Sequence, residues 1–128
     1  MAKLRYKLGA TSVILRVKIL DDASTVGAGK TGLPSASAGL IIGTIADNEA
    51  TTTAYTAAGS TTETITTLGT YAAPTATKCR FKEVDATNHP GLYEIQLADA
   101  RFAVASAKSL VVSVQVTGGA QVDAEIQL

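Results

Sequence analysis

The sequence predicts an all-β fold: an antiparallel β-sandwich, immunoglobulin-like or jelly-roll, of seven or eight short strands with at most one short helix. Three observations lead there. Apolar and polar residues alternate in several separate runs, the period of a strand with one buried face. Turn-forming residues punctuate the chain about every 8–15 residues. No segment carries apolar residues at helical spacing.

A strand covers residues 12–20, where Val13, Leu15, Val17 and Ile19 alternate with Ser12, Arg16 and Lys18. Asp21 and Asp22 stop it, and residues 25–39, rich in Gly and Ser, read as a long surface loop. A second strand follows at 40–46, where Gly43 suggests a bulge or a close backbone contact. Asp47-Asn48 makes a turn. Residues 50–74 hold a single charge, Glu63, in a field of Thr, Ala, Gly and Ser. Their β-branched Thr content favours strands, about 51–56 and 63–68, over helix; a flexible low-complexity loop is the plain alternative. Residues 77–84 place Cys79 and Phe81 between Lys78, Arg80 and Lys82, and residues 85–90 read as a turn. Tyr93, Ile95 and Leu97 then define a further strand. Residues 98–108 suggest one short helical turn with Asp99 as its cap. The runs 110–116 and 122–128, around Gly118-Gly119, close the fold as a hairpin.

The chain has 128 residues, 46% of them hydrophobic and 17% charged, with 11 Lys and Arg against 11 Asp and Glu. That length suits one domain, residues 11–128, preceded by an arm or first strand at 1–10. Zero formal charge argues against nucleic acid and against a membrane surface as partner. No run reaches the roughly 18 apolar residues of a membrane-crossing helix, and residues 1–8 lack the apolar core of a signal peptide, so synthesis in a cytoplasm is expected. One His, one Cys and one Met leave too few ligands for a His/Cys metal site in one chain. No catalytic residue, cofactor or metal ligand is assigned, and no enzymatic activity is expected.

Several motifs resemble chemistry and have simpler explanations. Gly27-Ala28-Gly29-Lys30-Thr31-Gly32 has the spacing of a dinucleotide fingerprint, yet Leu33-Pro34-Ser35 cannot open the helix whose amides would hold phosphate. His89 is read as a solvent-facing turn residue and Cys79 as a small buried apolar group. Asp21-Asp22 and Asp47-Asn48-Glu49 would offer oxygens to calcium if the two loops met; turn chemistry accounts for both. The informative feature is cationic. Lys3, Arg5 and Lys7 alternate with Leu4, Tyr6 and Leu8, which fits a first strand with a solvated face or an arm that adds a strand to a neighbour. Lys78, Arg80 and Lys82 repeat the pattern. These six residues are the candidate partner contacts.

Residues 81–100, FKEVDATNHPGLYEIQLADA, resemble a recurrent stretch of tailed-phage virion proteins, and residues 11–17, 27–33 and 125–128 look like the same group. The layout is similar to the N-terminal β-sandwich domain of phage baseplate upper proteins. The resemblance implies a virion component without enzymatic activity, most simply a capsid decoration protein. Its expected partners are other capsid or tail proteins and further copies of itself. A tail, baseplate or fibre-adaptor subunit is the alternative, and a carbohydrate-binding β-sandwich module, disfavoured by the lack of Trp, the second. In this reading Pro90 presets φ and Gly91 allows a positive φ, so the chain reverses at Pro90-Gly91 before Tyr93 enters the core.

Overall fold

The computed structural model describes residues 3–128; Met1 and Ala2, where the expected arm begins, and the side chain of Lys3 lie outside the described residues. The described residues form nine strands, β1 (Lys3–Arg5), β2 (Ile14–Lys18), β3 (Ile41–Ala46), β4 (Thr53–Thr56), β5 (Thr62–Thr64), β6 (Cys79–Asp85), β7 (His89–Gln96), β8 (Ser109–Val116) and β9 (Gly119–Gln127), with one 3₁₀ turn at Asp99–Phe102. They make two sheets, β1-β9-β8-β3-β4 and β2-β7-β6-β5. The fold is therefore all-β, in a two-sheet arrangement consistent with a β-sandwich.

The alternation seen in the sequence becomes the core. Leu15, Val17, Phe81, Tyr93 and Ile95 point inward from the second sheet. Ile42, Leu110, Val112, Val114 and Ile126 meet them from the first, in one apolar cluster. Phe81 stacks on Tyr93 with ring centroids 5.0 Å apart. Few large aromatics are present, so aliphatic side chains supply most of the buried surface.

Both sheets are mixed, whereas antiparallel pairing was expected. β1 runs parallel to β9, and β5 runs parallel to β6. A parallel neighbour needs a crossover of a dozen or more residues, and residues 65–78 supply one between β5 and β6. This crossover, hereafter the strap, lies over the outer face of the second sheet. The strand expected at 63–68 accordingly ends at Thr64.

Three further local expectations are corrected. Gly43 is an ordinary paired position between Ala54 and Ser113, with neither bulge nor close approach. Asp99 does not cap the 3₁₀ turn; its carboxylate accepts a hydrogen bond from the Ser12 amide at 2.8 Å. The reversal before β7 is not made by Pro90-Gly91. Asp85 closes it by accepting from the amides of Thr87 and Asn88. Pro90 and Gly91 already belong to β7, in a bulge between the pairs Glu83↔Tyr93 and Asp85↔His89. A bulge is where a missing N–H costs no ladder bond, which suits Pro90. Gly91 has φ +87°, and its carbonyl accepts from the Ile19 amide at 2.8 Å.

Candidate functional site

The two cationic runs have different fates. β1 sits on the edge of the first sheet of its own chain, with Arg5 opposite Gln127. Leu4 packs against the core, Tyr6 meets Phe102 edge-on at 6.2 Å, and the Tyr6 amide donates to the Gln127 carbonyl. Leu4 and Tyr6 on the apolar side of the run are thereby used, whereas Leu8 is exposed, as are Arg5 and Lys7. Arg5 and Lys7 border a hollow of 490 Å³ together with Tyr6, Gln127 and Leu128.

Of the second run, Arg80 is committed internally. Its guanidinium donates to the carbonyls of Thr64 and Ala73 and lies 3.6 Å from Glu63. Lys78 precedes β6, and Lys82 lies on the outer face of the second sheet. There the register assembles something that chain order hides: Arg16, Glu94 and Lys82 form one rung across β2, β7 and β6. Lys18 stands on the same face one pair further along, opposite Leu92. The alternation in residues 12–20 marks Arg16 and Lys18 as solvent-facing, but nothing in that run indicates that Lys82 joins them.

Glu94 is buried, with no exposed surface, on a face that alternation assigns to solvent. The strap explains it. Glu94 accepts from Arg16 Nε and Nη2 at 3.1 and 2.9 Å, from the Gly69 amide at 3.1 Å, and from Gln96 Nε2 at 2.9 Å. Gln96, also buried, takes a hydrogen bond from the Ala72 amide and gives one to the Thr70 carbonyl. Tyr71 donates to the Leu97 carbonyl. A buried carboxylate is tolerated because it is paired and its lone pairs are satisfied.

The glycine-rich loop is also a packing device. Gly29 lies against the β7 bulge so closely that a Cβ there would be 2.1 Å from the Pro90 carbonyl oxygen. The Tyr93 hydroxyl donates to the Lys30 carbonyl at 2.7 Å and accepts from the Leu33 amide, and Glu83 accepts from the Gly32 amide. Residues 33–39 run as turns and irregular chain, without the helix that a dinucleotide fingerprint opens. The two acidic turns are engaged separately. Asp21 caps the Ala23 amide, Asp47 accepts from the amides of Lys108 and Ser109, and Glu49 pairs with Arg101, whose Nε donates to the buried Thr44. Among the described residues no three His, Cys, Asp or Glu side chains are placed to hold a metal ion. His89 is exposed at the start of β7, and Cys79 is buried.

Titration follows these contacts. The Lys108 amide beside Asp47, the Arg101 guanidinium beside Glu49 and the Asn88 amide beside Asp85 hold the three carboxyls below their ordinary values. Burial pulls Glu63 upward, but hydrogen bonds from Thr75 and the nearby Arg80 and Lys78 outweigh it, leaving that carboxyl lowered too. Burial pushes the Cys79 thiol up to about 12, where it is not a nucleophile at neutral pH.

No protein family matches the chain, and neither a curated protein nor a solved structure is significantly similar to it.

Proposed function

We propose that the chain is a structural protein of a tailed-phage virion without enzymatic activity, most simply a capsid decoration protein that binds other virion proteins and further copies of itself. It would be made in the bacterial cytoplasm and end in the particle. The observation that carries the reading is the resemblance of residues 81–100 to a stretch of phage virion proteins; in the fold they are most of the β6–β7 hairpin and the first half of the 3₁₀ turn after it. Exposed Arg5 and Lys7, and Arg16, Lys18 and Lys82 on the second sheet, supply contacts for an acidic partner surface. A tail, baseplate or fibre-adaptor subunit uses the same features. A sugar-binding module draws little support from the aromatics: Phe81, Tyr93, Phe102 and Tyr55 are buried, which leaves Tyr6 and Tyr71 partly exposed on separate parts of the chain. Strand order favours the immunoglobulin-like alternative over a jelly roll, since β2-β7-β6 opposes β9-β8-β3-β4 as strands B-E-D oppose G-F-C-C′.

The test is quantitative mass spectrometry of particles released from cells carrying the gene. Copy numbers on the scale of a shell or tail protein are expected; absence from purified particles refutes the reading. Light scattering of the full chain adds a check on self-assembly. Oligomers that shrink as salt rises, and that are lost in an Arg5→Glu/Lys7→Glu variant, are expected. A monomer at every salt concentration removes the arm as a self-contact.

A further inference from the structure

We propose that the free edge of β6 along residues 82–85 is a strand-addition site for an extended segment of a partner chain that carries an acidic side chain opposite Lys82. The proposal deepens the assembly reading above and rests on it for the existence of a partner.

β5 covers only the first three residues of β6, pairing Thr62↔Cys79, Glu63↔Arg80 and Thr64↔Phe81. β6 continues to Asp85, and among the described residues no strand lies beside residues 82–85 on that side. Successive residues of a strand direct their N–H and C=O groups to alternate sides, so half of this stretch presents unpaired backbone. A groove of 430 Å³ runs along it in line with the end of β5, and residues 32–35 form its opposite wall.

The two walls differ in what they have left to offer. The Gly32 amide is taken by Glu83 and the Leu33 amide by Tyr93, Pro34 has no N–H, and the Pro34 and Ser35 carbonyls accept from Ser37 and Thr62. The Gly32 and Leu33 amides on that wall are therefore not available to an added strand. The continuous row of strand backbone groups lies on β6, the arrangement that β-augmentation requires.

Charge selects the occupant. The rung Arg16–Glu94–Lys82 alternates in sign across three strands, and its open end is Lys82, which makes no ion pair among the described residues. An added strand extends that rung by one position, and cross-strand pairing favours an acid there. A second copy of β6 is a poor occupant. Antiparallel self-pairing centred on Glu83 or Val84 sets Glu83 against Glu83 or against Asp85 of the other copy, and like charges directly opposite repel.

The probes are two blocked pentapeptides, acetyl-Ser-Val-Glu-Val-Ser-amide and its Lys counterpart, titrated into the ¹⁵N-labelled full chain. Shifts confined to residues 82–86 and 32–35 are expected, with the Glu peptide bound about fivefold more tightly than the Lys peptide. Lys82→Glu should invert that preference, and Lys82→Gln, the milder variant beside Glu94, should abolish it. No shift at millimolar peptide, shifts spread over other surfaces, or equal affinities for the two peptides overturns the proposal. Failure here with the chain still found in particles leaves the virion reading standing; binding here with the chain absent from particles removes that reading alone.

Discussion

Replacing Glu94 with Gln tests the polar layer beneath the strap most sharply, because the substitution alters one atom and no volume. Glu94 uses both oxygens: Oε1 receives Arg16, Oε2 receives Gln96 Nε2, and the Gly69 amide lies 3.1–3.2 Å from both. A Gln side chain can accept with one oxygen only. Its amide nitrogen would then face Gln96 Nε2, donor against donor. Gln96 cannot flip to relieve this, because its Oε1 receives the Ala72 amide and its Nε2 donates to the Thr70 carbonyl. Losing a hydrogen bond to a charged group and stranding a buried donor each cost about 1–3 kcal/mol. Shared over one site, a loss of about 2–3 kcal/mol is expected, or about 6–15 °C in Tm for a domain of this size. Arg16→Gln should cost a comparable amount, about 2–3 kcal/mol, because it leaves the buried Glu94 carboxylate without its ion pair, although water entering where the Arg16 side chain is 45% exposed offsets part of the loss. Urea unfolding followed by circular dichroism measures both. A loss under about 0.5 kcal/mol in both variants would refute the view that the strap seals a fully satisfied carboxylate.

Three other expectations concern the rest of the fold. Gly29→Ala should destabilise by about 3 kcal/mol, since the new methyl group meets the Pro90 backbone and not a movable side chain; an unchanged urea midpoint would show that the loop is not clamped on the bulge. Asp47, Glu49, Glu63 and Asp85 all have lowered pKa values in the folded state, so the folded chain binds fewer protons than the unfolded chain in acid. Their stabilisation is complete above the unfolded-state values near pH 4 and is lost as pH falls through the lower folded-state values; Tm should be level from pH 6 to 8 and fall below about pH 4. Cys79 should resist a thiol reagent at pH 8 until the chain is unfolded, and its raised pKa should reduce stability as pH rises above about 9. Fast labelling of the folded chain would contradict its burial.

Much of the fold is legible along the chain. The alternations around Leu15, Phe81, Tyr93, Val112 and Ile126 each identify a strand and the side it buries, because pleating and burial are local effects read every second residue, whereas the run Leu40-Ile41-Ile42 identifies a strand and not its buried side. The closing hairpin follows the same logic. The candidate contacts are legible only as charge. Lys82 and Arg80 look equivalent in sequence, yet one faces an open rung and the other is held by Glu63 and two carbonyls, a distinction made by residues 64 and 73 folding back over β6. Glu94 and Gln96 read as solvent-facing by alternation and are buried, because no local pattern announces that the Thr-rich strap will cover them.

The sequence by itself determined the all-β class, most strand positions and the inward side of the strands that alternate, since steric preference and hydrophobic period act over a few neighbouring residues. Tertiary structure decided which strands became neighbours, that β1 and β5 would pair in parallel, that Pro90-Gly91 would form a bulge and not a turn, and that Arg16, Glu94 and Lys82 would share a rung. Those outcomes depend on register between segments far apart in the chain, 78 residues in the case of Arg16 and Glu94. Such register is set by how the two sheets fill their common core and not by either segment alone.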